Sequence, residues 1–279
     1  MDTGNCMSHP SALLKELESR AKKRFGQHFL ASPGIVRQII MVAQLEAGSR
    51  VLEIGPGLGV LTEALLGSGA AVTAVELDRD MADFIRSRLP SVRLIEADGA
   101  QLDLAGTLEG SGWRCVSNLP YNAGTRMITN MLQQPGTFER LVVMVQKEVA
   151  DRLVAPAGDR KRGSLSVFTE ARAAARIRIK VPPGAFHPPP KVRSAVVDLK
   201  LLPQANTGPA PIAVFDQLVR NSFVQPRKTI RNNLVSAYTR DVADAVLDEA
   251  KINPTDRPAV LVLEQFHSLA IAVSARLSK

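Results

Sequence analysis

A tetrapeptide in the first half of the chain carries the groups that recognition of an amino-substituted base requires. Asn118 offers a side-chain oxygen, Leu119 a backbone carbonyl and Tyr121 an aromatic face, while Pro120 fixes the turn. Two oxygens that accept from an exocyclic amine favour a pyramidal nitrogen as positive charge develops on it. Tyr121 would stack on an extruded base. These residues predict chemistry at an adenine amine; the alternative is a strand-end turn with a capping asparagine and a packing tyrosine.

Upstream, a glycine-rich loop follows a short apolar segment and is typical of sites for nucleotide-like cofactors. Gly55, Gly57 and Gly59 let the chain turn tightly and bring backbone amides close to a ligand. Dinucleotide enzymes share such loops, but their usual spacing would place the third glycine at position 60, which is Val60 here. The loop predicts a cofactor site and leaves the cofactor open.

Two acids end the strands that follow the loop. Glu76 is placed to accept from both ribose hydroxyls of a cofactor, and Asp98 from its adenine amine. A helix cap or a surface carboxylate is the alternative for each acid, and Asp78 is expected to cap the next helix. The methyl group of S-adenosylmethionine is bonded to a positively charged sulfur, which already makes it a strong electrophile. A protein that uses this cofactor therefore mainly has to position the amine that receives the methyl group. The loop and the tetrapeptide together predict an S-adenosylmethionine-dependent methyltransferase.

A second aromatic residue lies in a proline-rich loop further along the chain. Phe186 would sandwich the target base opposite Tyr121, or it fills the core between two strands; both interpretations stay open. His187 beside it is interpreted as structural.

Short apolar strands alternate with helices up to about residue 202, after a first amphipathic helix over residues 11–24. This predicts an α/β fold with a mostly parallel sheet, helices on both faces, and ligands at the carboxyl ends of the strands. We expect a methyltransferase domain over residues 1–202, a linker over 203–211 with three prolines and one glycine, and a helical domain over 212–279.

Composition and charge narrow the class of protein. The 279 residues carry a net charge of +8, but the sign changes along the chain. Residues 29–146 hold nine Lys/Arg against twelve Asp/Glu, whereas residues 147–193 hold eleven against four. The basic segment would suit a polyanion held beside the active site. Two cysteines far apart in the sequence and four histidines predict no metal site. The sequence has neither an apolar run long enough to span a membrane nor the apolar core of a signal peptide, so we expect a cytoplasmic protein.

From residue 22 to 270 the chain resembles the ribosomal RNA adenine dimethyltransferases, and among them the bacterial small-subunit enzymes. The resemblance implies a Rossmann-like fold and N6,N6-dimethylation of two adjacent adenosines in the 3′-terminal hairpin loop of small-subunit RNA. Four S-adenosylmethionines would be used, on a pre-assembled small ribosomal subunit, by a monomer. The similar blocks are Arg24–Leu30, Glu53–Gly59, Val75–Asp80, Asn118–Tyr121, Val145–Leu153, Gly163–Val167, Phe186–Val192 and Asn221–Leu234.

The resemblance also assigns residues by position. The cofactor contacts that it implies are His28, Leu30, Gly55, Glu76, Asp98 and Asn118. The family usually has asparagine where this chain has His28, whose reach differs and whose contact could depend on pH. Pro226 stands where a basic residue is common in the family, which leaves three candidate contacts to RNA phosphates: Arg227, Lys228 and Arg231.

Three rival functions remain at this stage. The nearest is the antibiotic-resistance methyltransferase of large-subunit RNA, although the blocks after Val145 and Asn221 resemble the small-subunit enzymes better. The second is a non-catalytic RNA-binding ribosome assembly factor that retains the fold. A nicotinamide dehydrogenase is a distant third.

Overall fold

The structure, a computed structural model, describes residues 28–134 and 136–277. The helix predicted over residues 11–24 lies outside the described residues. By its internal contacts the chain divides into two compact units. The first comprises the described residues up to Ala150 together with Arg176–Leu201, and the second comprises Asp151–Ala175 and the described residues from Leu202 onward.

A seven-stranded sheet forms the centre of the first unit. Its order is β4-β3-β2-β5-β6-β9-β7, with parallel pairing from β4 through β6 and antiparallel pairing of β9 with β6. Two short strands, β1 and β8, pair antiparallel in a separate ribbon. The strands are β1 (Phe29–Leu30), β2 (Arg50–Ile54), β3 (Ala71–Glu76), β4 (Arg93–Glu96), β5 (Trp113–Asn118), β6 (Phe138–Gln146), β7 (Ala173–Val181), β8 (Phe186–His187) and β9 (Ser194–Leu201).

Helices connect the parallel strands, as the alternation predicted. The helices are α1 (Pro33–Ala43), α2 (Val60–Gly67), α3 (Arg79–Arg88), α4 (Leu104–Thr107), α5 (Gly124–Leu132), α6 (Lys147–Leu153), α7 (Ser164–Glu170), α8 (Ile212–Ser222), α9 (Ile230–Val235), α10 (Arg240–Glu249) and α11 (Leu263–Leu277). Local signals set several helix starts. Ser32 caps α1 ahead of Pro33, and the Asp78 carboxylate accepts from the backbone N–H of Asp80 at the start of α3, which confirms its predicted role.

The central strands are buried because helices cover both faces of a parallel sheet. In β2, the four residues after Arg50 are all buried, including the carboxyl group of Glu53. The strands therefore present their polar groups at their carboxyl ends, where the site lies.

The second unit has a helical core that begins earlier in the chain than the sequence suggested. Val167 and Phe168 of α7, with Ala171 directly after the helix, belong to one buried cluster with Phe215 and Phe266 of the C-terminal helices. The sequence analysis placed α7 in the N-terminal domain because its apolar partners lie far along the chain. The division into a methyltransferase domain over residues 1–202 and a helical domain over 212–279 stays a prediction. Within the described residues, none of the helices combines the length and apolar character needed to cross a membrane.

Candidate active site

A cavity of about 250 Å³ in the first unit joins the two motifs that the sequence analysis singled out. Gly55 and Gly57 line it from the glycine loop, and the tetrapeptide Asn118–Tyr121 lines it from the end of β5. β5 lies beside β2 in the sheet, so the two motifs meet at neighbouring strand ends. A cofactor and an extruded base could therefore share one open space.

The glycine loop lies where side chains do not fit. Gly57 has a φ of 54°, and a Cβ at this position would lie 3.0 Å from the ring of Phe29. The Gly55 N–H donates to the Val75 carbonyl at 2.8 Å, which ties the loop to β3. A Cβ on Gly55 would lie 3.8 Å from Pro120, so the loop runs directly beside the tetrapeptide. The loop thus brings backbone close to any ligand in the cavity.

Glu76 ends β3 and is held by three backbone N–H groups. Its Oε1 accepts from Leu77 at 2.9 Å and from Asp78 at 3.0 Å, and its Oε2 accepts from Gly57 at 3.3 Å. Burial raises the pKa of this carboxyl, and the three hydrogen bonds oppose that rise. The carboxylate lines the cavity with a fixed orientation, as an acceptor for a cofactor's hydroxyls would require.

Asp98 lines the same cavity and is partly buried. Its carboxylate accepts from the backbone N–H of Ala100 at 2.9 Å, and this hydrogen bond, with one from Gln101, holds its pKa below the usual value. The charge of Arg126 acts in the same direction. Arg126 itself lines the cavity from the first turn of α5, and the sequence analysis missed it. Its place shortly after the tetrapeptide was the available signal.

Asn118 is the last residue of β5, and its two side-chain polar atoms differ in their surroundings. Its side-chain N–H donates to the His28 carbonyl at 3.3 Å, while its Oδ1 is buried without a hydrogen-bond partner among the described residues. The Pro120 carbonyl closes the turn by accepting from the N–H groups of Ala123 and Gly124. A buried acceptor that lacks a donor is costly unless a ligand supplies one.

Tyr121 and His28 form a pair of rings at the cavity wall. Their centroids are 5.6 Å apart with planes tilted by 35°. The Tyr121 hydroxyl lies 2.6 Å from Ser194 Oγ, and burial raises the pKa of the phenol. His28 Nδ1 lies 2.8 Å from the Pro188 carbonyl oxygen. His28 and Leu30, both predicted as cofactor contacts, line the cavity. No local pattern in the sequence indicates that His28 lies against Tyr121.

Phe186 occupies the core and not the cavity. Its side chain is 4% exposed, β8 places it opposite Leu30, and it belongs to the buried cluster of the sheet. Phe186 is also absent from the residues that line the cavity. Of the two interpretations left open for Phe186, the sandwich of a base against Tyr121 is not supported by this packing. The alternative of a core residue agrees with the observed packing, and His28 is the ring that faces Tyr121.

Glu53 is a second cavity residue to which the sequence analysis gave no role. It is 2% exposed, its Oε2 has no hydrogen-bond partner among the described residues, and it lines the cavity beneath the glycine loop. Burial raises the pKa of this carboxyl to about 8; Thr62 opposes the rise, and the charge of Glu76 adds to it. A charged residue between Leu52 and Ile54, within the apolar part of β2, was the available signal.

The three basic residues predicted to contact RNA differ in their surroundings in the second unit. Arg227 and Lys228 are exposed, after the end of α8. Arg231, in α9, donates from Nε and Nη2 to the two carboxylate oxygens of Asp244 at 2.5 and 2.7 Å. Its guanidinium is thus already paired, which the sequence could not indicate because Asp244 lies one helix further on.

The largely parallel sheet, the glycine loop and the acids at the strand ends are those of the S-adenosylmethionine-dependent methyltransferases with a Rossmann-like fold. The profile of the family described as "Ribosomal RNA adenine dimethylase" matches residues 18–274. The chain belongs to this family. A relative from Anaeromyxobacter sp. (strain K), named "Ribosomal RNA small subunit methyltransferase A", is 41% identical over 273 residues, covering 93% of this chain and 96% of the relative.

Two solved structures have a similar fold. A dimethyladenosine transferase from Plasmodium falciparum has a TM-score of 0.72 at 24% identity, and the match covers 87% of this chain and 96% of that one. The 23S rRNA methyltransferase ErmE has a TM-score of 0.64 at 26% identity, and the match covers 88% of this chain and 98% of that one. These matches confirm the predicted fold class.

Proposed function

We propose that this protein transfers methyl groups from S-adenosylmethionine to the N6 amines of two adjacent adenosines in the 3′-terminal hairpin loop of small-subunit ribosomal RNA. The observation that carries the proposal is the buried Asn118 Oδ1, which has no hydrogen-bond partner among residues 28–134 and 136–277 and lies in a cavity shared with the glycine loop. The small-subunit name and 41% identity of the Anaeromyxobacter relative favour this substrate over large-subunit RNA. The comparisons give no support to a non-catalytic assembly factor.

The residues around the cavity fit the proposed cofactor. The fixed carboxylate of Glu76 would accept from its ribose hydroxyls, and the carboxylate of Asp98 would accept from its adenine amine. Gly55 and Gly57 leave room for the cofactor against backbone, and His28 and Leu30 would cover it. When bound, S-adenosylmethionine supplies an electrophilic methyl group on a positively charged sulfur.

The tetrapeptide would prepare the target amine. Asn118 Oδ1 and the Leu119 carbonyl would accept from its two N–H groups, which localises the nitrogen lone pair and aims it at the methyl group. Tyr121, anchored through Ser194, would stack on the extruded base. The amine loses its proton after the methyl group arrives, so the step needs no general base in the protein.

The proposed substrate is a pre-assembled small subunit, which accepts four methyl groups, two on each adenosine. We infer that the enzyme acts as a monomer in the cytoplasm, where bacterial subunits assemble. Both inferences rest on the resemblance and on the small-subunit names of the relatives.

Incubation of unmethylated small subunits with radiolabelled S-adenosylmethionine tests the proposal. We expect label in N6,N6-dimethyladenosine after complete digestion of the RNA, with four methyl groups per subunit at completion. Unmethylated large subunits are the matched control and should stay unlabelled. Label confined to the large subunit, or to a nucleoside other than adenosine, would overturn the proposal.

Charge reversal at two positions should reveal the RNA contacts of the second unit. We expect Arg227→Glu with Lys228→Glu to weaken binding to small subunits and to flatten its salt dependence, because each lost phosphate contact lowers the slope by about 1. Filter binding between 50 and 200 mM salt measures both quantities. Arg231→Glu is not included, because it would leave Asp244 without its partner. A salt slope equal to that of the unmodified protein would count against these contacts.

A further inference from the structure

Three cationic side chains form a row on β7, the outermost strand on one side of the seven-stranded sheet. Arg176, Arg178 and Lys180 are all exposed and alternate with the residues whose side chains turn inward, of which Ile179 and Val181 are buried. Alternate residues of a strand point to the same side and are about 6.6 Å apart. The row therefore repeats at a spacing close to that of successive phosphates on an extended nucleic-acid strand. β7 contains no acidic residue.

The charge of this row is largely uncompensated. Arg176 and Lys180 make no ion pair or hydrogen bond with other described residues. Arg178 has its Nε 3.9 Å from Asp198 Oδ2, but that carboxylate is already bound by both Nε and Nη2 of Arg140, at 2.8 and 2.9 Å. Three cations without a dedicated carboxylate attract a polyanion in solution.

The last residues of β7 lie at the same end of the strands as the cavity that contains Tyr121. β9 begins at Ser194, the residue that holds the Tyr121 hydroxyl, and β9 is the neighbour of β7 in the sheet. The Leu202 N–H donates to the Arg172 carbonyl, so the end of β9 lies beside the start of β7. The last residues of β7 therefore lie toward Ser194, and Lys180 is the cation of the row closest to that end.

Two further cations continue the row toward the pocket. Lys191 and Arg193 are exposed on the segment that leads into β9, directly before Ser194. An RNA strand that follows the cations along β7 would reach this segment and then the base position at Tyr121. Electrostatic tracking of a nucleic-acid backbone beside an aromatic base site is a recurrent arrangement in proteins that bind single strands.

We propose that β7 is a phosphate track that holds the RNA strand flanking the target adenosine, with Arg176, Arg178 and Lys180 on successive phosphates. This inference rests on the proposed function for the identity of the RNA, but the track itself would bind any single-stranded RNA. Its contribution is independent of base sequence, because phosphate contacts position the strand and carry no sequence information.

The test uses the full-length double variant Arg176→Gln/Lys180→Gln and a labelled single-stranded RNA of mixed sequence. We expect affinity to fall about tenfold at low salt, and the slope of log affinity against log salt to flatten by about 1.4, the value for two lost contacts on a single strand. The control is Arg37→Gln/Arg93→Gln, which removes the same charge from exposed positions on α1 and β4. The control should bind within twofold of the unmodified protein and should keep its salt slope.

Different outcomes separate the track from the proposed function. Exposed cations also protect edge strands from pairing with other chains. If the test variant aggregates on concentration yet binds RNA with an unchanged salt slope, the row serves edge protection and the track is refuted. An equal loss in test and control variants would show a general charge effect and would also refute it. Failure of the unmodified protein to methylate small subunits would remove the proposed function while leaving the RNA-binding result to stand.

Discussion

Replacing Asn118 with alanine should slow methyl transfer by roughly 10²–10³-fold, the loss typical of removing one preorganised polar contact to a reacting group. The reason is that Asn118 Oδ1 is buried and has no hydrogen-bond partner among the described residues, so it is free to accept from the target amine. Affinity for RNA should change little, because phosphate contacts supply most of it. Single-turnover rates with saturating cofactor measure the first effect, and filter binding measures the second.

The matched control is Asn122→Ala, which removes the same side chain from another residue that lines the cavity. It should keep a rate within a few-fold of the unmodified protein. Affinity for S-adenosylmethionine is measured separately in both variants, since the proposed role of Asn118 would place it against both the cofactor and the base. If Asn118→Ala lost RNA binding and methyl transfer in equal proportion, the proposed role for its side-chain oxygen would be refuted.

Glu53 should make the stability of the first unit depend on pH. Its pKa is about 8 in the folded protein against an ordinary value of 4.5, so folding retains a proton that the unfolded chain releases. The contribution of this proton to the free energy of unfolding is fully present below pH 4.5 and is lost as the pH rises through 8. The free energy of unfolding should therefore fall, relative to that of Glu53→Gln, by on the order of 5 kcal/mol between pH 4.5 and 9.

Urea unfolding followed by tryptophan fluorescence measures this effect in the relevant unit. Trp113, the one tryptophan of the chain, is 5% exposed on β5 and reports on the sheet. The control Glu46→Gln changes an exposed glutamate and should differ from the unmodified protein by the same amount at every pH. A constant difference between Glu53→Gln and the unmodified protein over this range would contradict a protonated Glu53.

Much of the first unit follows from local sequence. β2, Arg50–Ile54, is the short apolar segment noted before the glycine loop, and such a run specifies a buried strand. The predicted N-cap Asp78 is likewise confirmed, since a cap needs only the N–H groups two and three residues away. Glu76 and Asp98 line the cavity for the same local reason: each ends or follows a parallel strand, and such strand ends meet at one edge.

The sequence by itself therefore determined the sheet, the glycine loop and the Asn118–Tyr121 turn, whose signals span a few neighbouring residues. Only the tertiary structure decided that Phe186 fills the core, that His28 faces Tyr121, and that Arg231 is paired with Asp244. Each of these outcomes depends on a partner from another element of the chain. Packing density and charge pairing select such partners in three dimensions, and no periodicity or spacing along the chain encodes them.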